Sequence, residues 1–369
     1  MSGSFDWLVG RITCRGILGA PFSLTSFRVQ DEFGPKENTL GSDFAGLNSE
    51  PYSSSPSQPQ LSRIAGRWRR LFAFVLDSLL LGVIGAVLGA VLYETFVQMG
   101  QWARLVGLVI SLLYFSFSES AIGGGRSLGK RLLGLKVMNA QGAMLRFEES
   151  GLRFLLFGIP FFANGLSLPL KSGAVLFATI IGLVVFGLGG ANLYLMLFNG
   201  QAHQGLHDIV ARSYVVDARP DGVVIPRDVW KGHWVILGTF GVLLCTFPVF
   251  VMPKILNKGS FPEMMQVLKD VQKIQGVQTA NVREVTLFTT GRQSSDRVFS
   301  IDVTWNGPEG DEVSLADEIA KEVLLDDKEI ANYSKLRIAI TRGYDLGIGS
   351  RWSSRAFAYS PGEWRQRVQ

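Results

Sequence analysis

An aspartate inside an apolar stretch is the first residue of this sequence that could do chemistry. In the run RWRRLFAFVLDSLL, Asp77 follows Arg70 by seven residues. Seven steps of a helix return to nearly the same face, about 10 Å further along the axis. A carboxylate inside a membrane span costs at least about 2.5–3.5 kcal/mol, so it must face protein or a wet cavity. This favours a proton or cation site, and the alternative is a carboxylate that merely locks a helix bundle.

A basic loop follows the next apolar stretch and reads GGGRSLGKRLLGLKVMNAQG. Its Gly129 and Lys130 resemble part of a phosphate-binding loop, but Arg131 stands where that loop needs Ser or Thr to hold magnesium. Leucines are interspersed with Lys and Arg, a pattern typical of a segment that lies in the membrane headgroup plane. Glu119, just before the loop, is a further candidate for a functional acid, but an interfacial acid paired with Arg126 is favoured. We therefore predict a surface-lying basic segment and no nucleotide site.

Two histidines and an aspartate lie close together in the segment AHQGLHDIVARSYVV. His203 and His207 are one helical turn apart, and His207 precedes Asp208. Zinc sites need three or four ligands, and the sequence has only one other histidine, His233, so neither a metal site nor another cofactor is predicted. An acid–base cluster at the cytoplasmic end of a membrane span is favoured instead. Three cations are candidate partners for the Asp208 carboxylate: Arg70, Lys130 and Arg153.

The composition indicates what kind of protein must position these residues. The chain has 369 residues, of which 47% are hydrophobic and 18% charged, and its mean hydropathy is +0.23. Soluble globular proteins carry about 25% charged residues, so an ordinary soluble enzyme is excluded. The two cysteines, Cys14 and Cys245, are too few and too far apart for a disulfide scaffold. We predict an all-α, multi-span membrane helix bundle followed by a small extracytoplasmic α+β domain.

Unbroken apolar runs predict about five transmembrane helices, because a helix needs about 20 residues to cross the hydrocarbon core. The first span holds Asp77 and also Gly82, Gly85 and Gly89, which form a small-residue face for close helix packing within the molecule. The third is short and contains Pro160, so a kinked or partly re-entrant helix is expected. The five predicted spans are residues 71–93, 102–121, 154–170, 172–198 and 234–252.

The distribution of Lys and Arg between the spans predicts the orientation of the chain. Basic residues are numerous before the first span, absent between the first two, numerous before the third, single before the fourth and numerous before the fifth. The positive-inside rule then places the N-terminus in the cytoplasm, and five spans place the C-terminal region in the periplasm or extracellular space. This pattern explains the net charge of +5 without nucleic acid. We predict a multi-pass protein of the cytoplasmic (inner) membrane, in contact with the lipid bilayer.

Three further regions lie outside the predicted bundle. Residues 1–62 are rich in Ser, Gly and Pro and are predicted to form a disordered cytoplasmic tail, and residues 218–233 form a cytoplasmic linker. Residues 253–369 read as the α+β domain, because apolar residues alternate along 299–305 and again along 336–340, as in half-buried strands. This domain has no cluster of a nucleophile with a base. We therefore expect an interaction or sensing domain and no enzyme activity.

Three motifs in this order make residues 63–217 resemble the RDD family of bacterial membrane proteins. The first is an Arg that opens a span and an Asp within it, matched by Arg70 and Asp77, with Arg69 as the alternative register. The second is the loop SLGKRLLGLKV, with leucine where the family usually has proline, followed by an Arg that enters the next helix. The third is LHDIVARSYVV. The other matching residues are Gly129, Lys130, Arg131, Gly134, Arg153, His207 and Asp208.

The resemblance implies transport, because family members are suspected transporters and some resemble sodium/proton antiporters. In this hypothesis Asp77 and Asp208 alternately bind a proton or a sodium ion, and Arg70 tunes the Asp77 carboxylate by charge pairing. The alternative is a membrane assembly or signalling scaffold, in which the polar residues only hold the helices of the bundle together. Its extracytoplasmic domain would then bind a protein partner or a second copy of the chain.

Overall fold

The computed structural model describes the chain from Leu61 to Gln369, with short gaps. The predicted tail lies almost wholly outside the described residues, as do the junction 167–173 between the third and fourth predicted spans and residues 255–260 near the start of the C-terminal domain. The structure describes residues 61–166, 174–200, 202–219, 222–226, 228–251, 254, 261–287, 296–326, 330 and 332–369.

Among the residues that the structure describes, four helical segments are long and apolar enough to cross a membrane, and they overlap four of the five predicted spans. These segments are Arg67–Val91, Tyr93–Ser118, Leu176–Phe198 and Lys231–Phe250. The second is composite, because Gly100, with a φ of 57°, ends one helix before the next begins. The third contains a π-helical stretch, a form frequent at functional sites. The helices of this part are α1 (Arg67–Val91), α2 (Tyr93–Met99), α3 (Ala103–Ser118), α4 (Leu128–Leu132), α5 (Phe147–Ala163), α6 (Ala174–Gly182), α7 (Gly189–Phe198), α8 (Leu206–Val210) and α9 (Lys231–Phe250).

Helix α5 occupies the place of the third predicted span and has 17 residues. It contacts both ends of α3: Arg153 pairs with Glu119 at one end, and the carbonyl of Asn164 accepts a hydrogen bond from Arg104 at the other. Helix α5 therefore runs alongside α3 in the opposite direction. Pro160 lies inside the helix. The count of five spans stays a prediction.

Short elements cover the end of the bundle where α1 begins. Two antiparallel strands pack Val137 and Val215 in a small core with Ala73 of α1. Helix α4 lies against α1 as well, because a Cβ atom on Gly129 would lie only 2.0 Å from the carbonyl oxygen of Ala73. The loop predicted to lie flat in the headgroup plane thus turns Lys130 into the protein, where it is buried. The two strands are β1 (Leu135–Asn139) and β2 (Ser213–Asp217).

The C-terminal part folds as an α+β domain around a four-stranded sheet of order β3-β4-β5-β6. Strands β4 and β5 are parallel, and the other two pairs are antiparallel. Residues 299–305 lie in β4 and residues 336–340 in β5, which confirms these strand predictions. The core between sheet and helices contains Ile301, Ile319 and Trp364. The elements are α10 (Phe261–Val271), β3 (Val277–Leu287), β4 (Asp296–Trp305), α11 (Glu312–Asp326), β5 (Lys335–Asp345), β6 (Ser350–Tyr359) and α12 (Pro361–Val368).

The turn between β5 and β6 is inserted between α1 and α3. A Cβ atom on Gly85 of α1 would lie 3.0 Å from the backbone nitrogen of Gly349. A Cβ atom on Gly107 of α3 would lie 1.8 Å from the carbonyl oxygen of Leu346. Only glycine permits such close backbone approach. The small-residue face of α1 was expected to pack against another helix. In the C-terminal half of α1 it packs against this β-turn instead.

Candidate functional site

Asp77 is fully buried inside α1, and its carboxylate accepts three hydrogen bonds. The Tyr114 hydroxyl of α3 donates to Oδ1 over 2.7 Å, and the Gly129 backbone N–H donates to the same oxygen over 2.7 Å. The Ser127 hydroxyl donates to Oδ2 over 2.5 Å. Because Ser127 and Gly129 stand at the start of α4, the carboxylate caps this helix and anchors the loop to α1.

The Asp77 carboxylate has no cationic partner within ion-pair distance among the residues that the structure describes. Arg70, predicted to pair with it, instead lies 3.6 Å from the Asp208 carboxylate. The predicted pairing is therefore wrong. Its physical reason is that Nη2 of Arg70 donates to the carbonyls of Ala202 and Val215, which draw the guanidinium toward the chain beyond the fourth span. Within the described chain, the groups that contact the Asp77 carboxylate are hydrogen-bond donors.

Arg70, Glu119, Lys130, Arg153 and Asp208 form a continuous chain of buried ion pairs, which we call the ionic cluster. Arg153 is central, because its Nε donates to Asp208 Oδ1 over 2.7 Å and its Nη1 contacts Glu119. Asp208 also pairs with Arg70, and Glu119 pairs with Lys130. Four of these residues lie on α1, α4, α5 and α8, and Glu119 directly follows α3. The cluster therefore joins five elements at one end of the bundle.

The structure distinguishes among the predicted partners. Asp208 pairs with two of its three candidate cations, and the third, Lys130, pairs with Glu119. The predicted pair of Glu119 with Arg126 is wrong. Packing of α4 against α1 turns Lys130 inward, whereas Arg126 lies in the loop before that helix, where its carbonyl accepts a hydrogen bond from Arg131.

Burial and neighbouring charges set the protonation of the α8 end of the ionic cluster. Burial alone would raise the pKa of Asp208, but the positive charges of Arg153 and Arg70 outweigh it and hold this pKa well below its usual range. Burial lowers the pKa of His207 to about 4. At neutral pH, Asp208 is therefore ionised and His207 neutral. The ionic cluster then carries three positive and two negative charges.

The two histidines of the third motif have different environments. His207 is buried, with Nδ1 2.7 Å from Oδ1 of Asn192, which also accepts the His207 backbone N–H over 2.9 Å. His203 has a φ of 48°, and its carbonyl accepts a 2.7 Å hydrogen bond from Arg70. Within the described ranges, no group of three or more His, Cys, Asp or Glu residues could hold a metal ion.

Two cavities lie on either side of four phenylalanine rings. The inner cavity, of about 250 Å³, is lined by the ionic cluster and His207. The outer cavity, of about 610 Å³, is lined by polar groups of Ser78, Ser111 and Asn164 and by Ile348 of the inserted turn. The phenylalanines that line both cavities are Phe74, Phe115, Phe154 and Phe157.

The other residues of the motifs hold the loop in place. Arg69 is exposed and pairs with Asp217 at 2.5 Å, so the buried arginine of the first motif is Arg70. Arg131 donates to a loop carbonyl over 2.7 Å. Gly134 has a φ of 63°, in the left-handed region that favours glycine. Arg69 also donates to the carbonyl of Leu133 over 2.7 Å, so all three residues hold the backbone of the loop and none of them belongs to the ionic cluster.

Sequence reasoning missed two polar residues of the site, Tyr114 and Asn192. Tyr114 donates to Asp77, and the amide of Asn192 joins α7 to α5 by donating to the carbonyl of Leu156 over 2.9 Å. Both stand inside apolar spans, where a polar group needs a partner. A single polar residue inside an apolar span therefore indicates a residue of the site.

Parts of this chain are similar to known proteins. Residues 64–212 match the model of the RDD family. "Uncharacterized protein YxaI" of Bacillus subtilis (strain 168) is 24% identical over 177 residues, a match that covers 42% of this chain and 99% of that protein. The matched family region contains Asp77 and the whole ionic cluster, and it excludes the C-terminal sheet domain.

Proposed function

Because residues 64–212 are an RDD family domain, we propose that this membrane protein moves protons or small cations across the bilayer and that Asp77 binds them. One observation carries the proposal. The Asp77 carboxylate is fully buried inside a membrane helix and has hydrogen-bond donors but no cation beside it within the described chain. An ionisable group at this depth is costly and is a functional site by default.

The groups around Asp77 suit a site that exchanges a proton for a small cation. The hydroxyls of Tyr114 and Ser127 donate hydrogen bonds to the carboxylate. If a cation binds to the carboxylate, each hydroxyl can rotate so that a lone pair of its oxygen, rather than its hydrogen, faces the site. Hard cations prefer such oxygen ligands. Either a proton or a sodium ion would neutralise Asp77, so the two would compete for one site.

The sequence-based hypothesis makes Asp208 a second binding site that alternates with Asp77, and the present proposal gives Asp208 a different role. Two arginines hold its carboxylate, and its pKa lies well below the usual range, so it keeps its charge as the pH changes. We assign Asp208 a structural role in the ionic cluster. The single exchanging carboxylate is then Asp77.

The two cavities support a route past the four phenylalanines. They follow one another between the ionic cluster and the inserted turn, and the rings of Phe115 and Phe154 stack with centroids 5.0 Å apart. In the proposed route these rings separate the inner cavity from the outer one. Asp77 is fully buried and lines neither cavity, so transport needs these rings to move and open a path to its carboxylate from one side and then from the other.

The proposed placement is the cytoplasmic (inner) membrane, with the N-terminus in the cytoplasm and the sheet domain in the periplasm or extracellular space. The alternation of Lys and Arg along the chain supports it. The ionic cluster lies near the start of α1. The turn at Leu346 lies near Gly107 of α3, toward the other end of α1, so the cluster and the sheet domain are proposed to face opposite sides of the membrane. The course of α5 alongside the whole of α3 supports a fifth span.

Flux through vesicles tests the proposal. The full chain in proteoliposomes should show sodium-dependent proton movement, and Asp77→Asn should abolish it. Asp302→Asn, which changes a carboxylate paired with Arg337 in the sheet domain, is the matched control and should leave flux unchanged. Equal flux in Asp77→Asn and the wild type, at equal incorporation, would contradict the proposal.

A second candidate function is a scaffold whose sheet domain binds a protein partner or a second copy of the chain. Strand β6 favours it, because it forms one edge of the sheet and most of its residues are exposed. Such an edge can accept another strand. With Cys14 and Cys245 replaced by Ser, crosslinking from Ser353→Cys in membranes should then recover one stoichiometric product, and recovery of no such product would count against the scaffold.

A further inference from the structure

The inner cavity carries an unbalanced positive charge. Its wall contains all five residues of the ionic cluster, three cations and two carboxylates, which leaves a net charge of one positive unit. His207, which also lines the cavity, is neutral at neutral pH because burial lowers its pKa to about 4. A buried charge without a counter-charge is costly. The cavity is therefore set up to receive one negative charge.

One buried donor of this wall, on Arg70, has no hydrogen-bond partner in the part of the chain that the structure describes. The side chain of Arg70 is 8% exposed, and its Nε is buried without a hydrogen-bond partner among the described residues. Both of its Nη atoms are already engaged by carbonyls. A buried guanidinium N–H that stays unpaired costs a full desolvation penalty. An anion that reached Arg70 would provide the missing acceptor.

The rest of the cavity wall is apolar and continues onto the lipid-facing surface. Leu71 and Phe74 of α1 and Leu193 of α7 line the cavity and are also exposed on membrane-spanning helices. Such exposed apolar side chains on a span face acyl chains. The volume of about 250 Å³ is below the roughly 300–1,000 Å³ of pockets that enclose a whole drug-sized ligand. The cavity can therefore take the charged end of a lipid while its chains remain in the bilayer.

We propose that the inner cavity binds a singly charged anionic phospholipid, of the phosphatidylglycerol type, from the membrane leaflet at the Arg70 end. Its phosphodiester would accept the free N–H of Arg70, and its chains would pack on Leu71 and Phe74. Phosphate oxygens and guanidinium groups form strong charge-assisted hydrogen bonds. Basic pockets between membrane helices suit anionic headgroups. A zwitterionic lipid would add a further positive charge to a cavity whose wall already has an excess of one.

Native mass spectrometry of the purified full chain tests this proposal without any transport measurement. The protein is incubated with equal amounts of phosphatidylglycerol and phosphatidylcholine that have identical chains. We expect one phosphatidylglycerol to be retained in preference to phosphatidylcholine. Leu71→Trp, which fills the cavity mouth, should weaken this retention about tenfold, and Arg70→Gln should do the same if it folds.

Leu79→Trp is the matched control, because it changes another exposed leucine of α1 that does not line the cavity. It should retain the lipid as the wild type does. Equal retention of the two lipids, or full retention by Leu71→Trp, would overturn the proposal. Displacement by millimolar inorganic phosphate would also overturn it, because the cavity would then recognise a free anion rather than a lipid. Loss of flux in Asp77→Asn has no bearing on this result.

Discussion

The backbone N–H of Gly129 lies 2.7 Å from Oδ1 of Asp77, although 52 residues separate them in the chain. This hydrogen bond joins the first and second motifs of the chain into one site. The aspartate inside the first span is therefore also the anchor of the loop. Binding of a proton or a cation at Asp77 would weaken this anchor, because a neutral carboxyl is a poorer acceptor than a carboxylate. The ligand state of Asp77 would then be coupled to the position of α4.

Gly129→Ala tests the contact between α4 and α1. The new methyl group would lie 2.0 Å from the carbonyl oxygen of Ala73, so α4 must shift and the hydrogen bond to Asp77 must lengthen. We expect a loss of about 1–3 kcal/mol of stability, measured as a lower thermal midpoint in detergent. Gly238→Ala in α9, where nothing lies within 4 Å of the new atom, is the control and should not lower the midpoint.

Asp208→Asn tests the ionic cluster. It leaves Arg70 and Arg153 buried without their shared carboxylate, and breaking a buried pair costs about 3–5 kcal/mol. Asp217→Asn is the control, because its partner Arg69 is exposed and such pairs contribute about 0–1 kcal/mol. We expect a far larger fall in thermal midpoint for Asp208→Asn, and similar falls for both variants would contradict the account of the cluster.

His207 predicts a dependence of stability on pH. Its pKa is about 4 in the folded protein and about 6.5 in an unfolded chain. Between these values only the unfolded chain binds the proton, so acidification from about pH 6.5 to 4 should lower stability by on the order of 3 kcal/mol. His207→Gln should flatten the thermal midpoint against pH over this range.

Two other groups must be separated from His207 in that measurement. Burial and the charges of Arg67 and Arg70 lower the pKa of His203, so His203→Gln should flatten the curve in the same sense. The depressed pKa of Asp208 gives stability that is lost only as the pH falls below about 4. An unchanged slope between pH 6.5 and 4 in His207→Gln would contradict the buried, neutral histidine.

Gly107→Ala tests the inserted turn. The added methyl would lie 1.8 Å from the carbonyl oxygen of Leu346, which is backbone and cannot rotate away, so the turn should be expelled. With Cys14 and Cys245 replaced by Ser, a reporter Ile348→Cys should then react several-fold faster with a polar maleimide. Gly82→Ala, whose new atom would make an ordinary 3.6 Å contact, should leave the reaction slow. A slow reaction in both variants would argue against the insertion.

The sequence predicted the apolar spans and the strands of the sheet domain because their signals are local. An apolar run identifies a span, and alternation identifies β4 and β5. The glycines of α1 likewise indicated a close contact. Their partner could not be predicted, because the turn at Leu346 lies more than 200 residues further along the chain, and spacing within α1 does not show what fills its face.

The partners of the charged residues were also beyond local spacing. Seven residues put Arg70 and Asp77 on one helix face, but the carbonyls of Ala202 and Val215 decide where the guanidinium lies. Proximity in sequence favours Arg126 as the partner of Glu119, whereas in the folded loop Lys130 forms the pair. Pairing in a buried cluster depends on how separate helices are docked, which a sequence pattern cannot show.

Release of protons on addition of sodium measures the competition at Asp77 directly. Purified wild-type protein is brought to the lowest pH at which it stays folded, so that Asp77 carries its proton, and is followed in weakly buffered detergent solution with a pH-sensitive dye. It should release about one proton per chain when sodium saturates the site, as one exchanging carboxyl requires. Asp302→Asn should release the same amount and Asp77→Asn none. Undiminished release from Asp77→Asn, or no release from the wild type with any alkali cation, would contradict the assignment of Asp77 as the exchanging carboxylate.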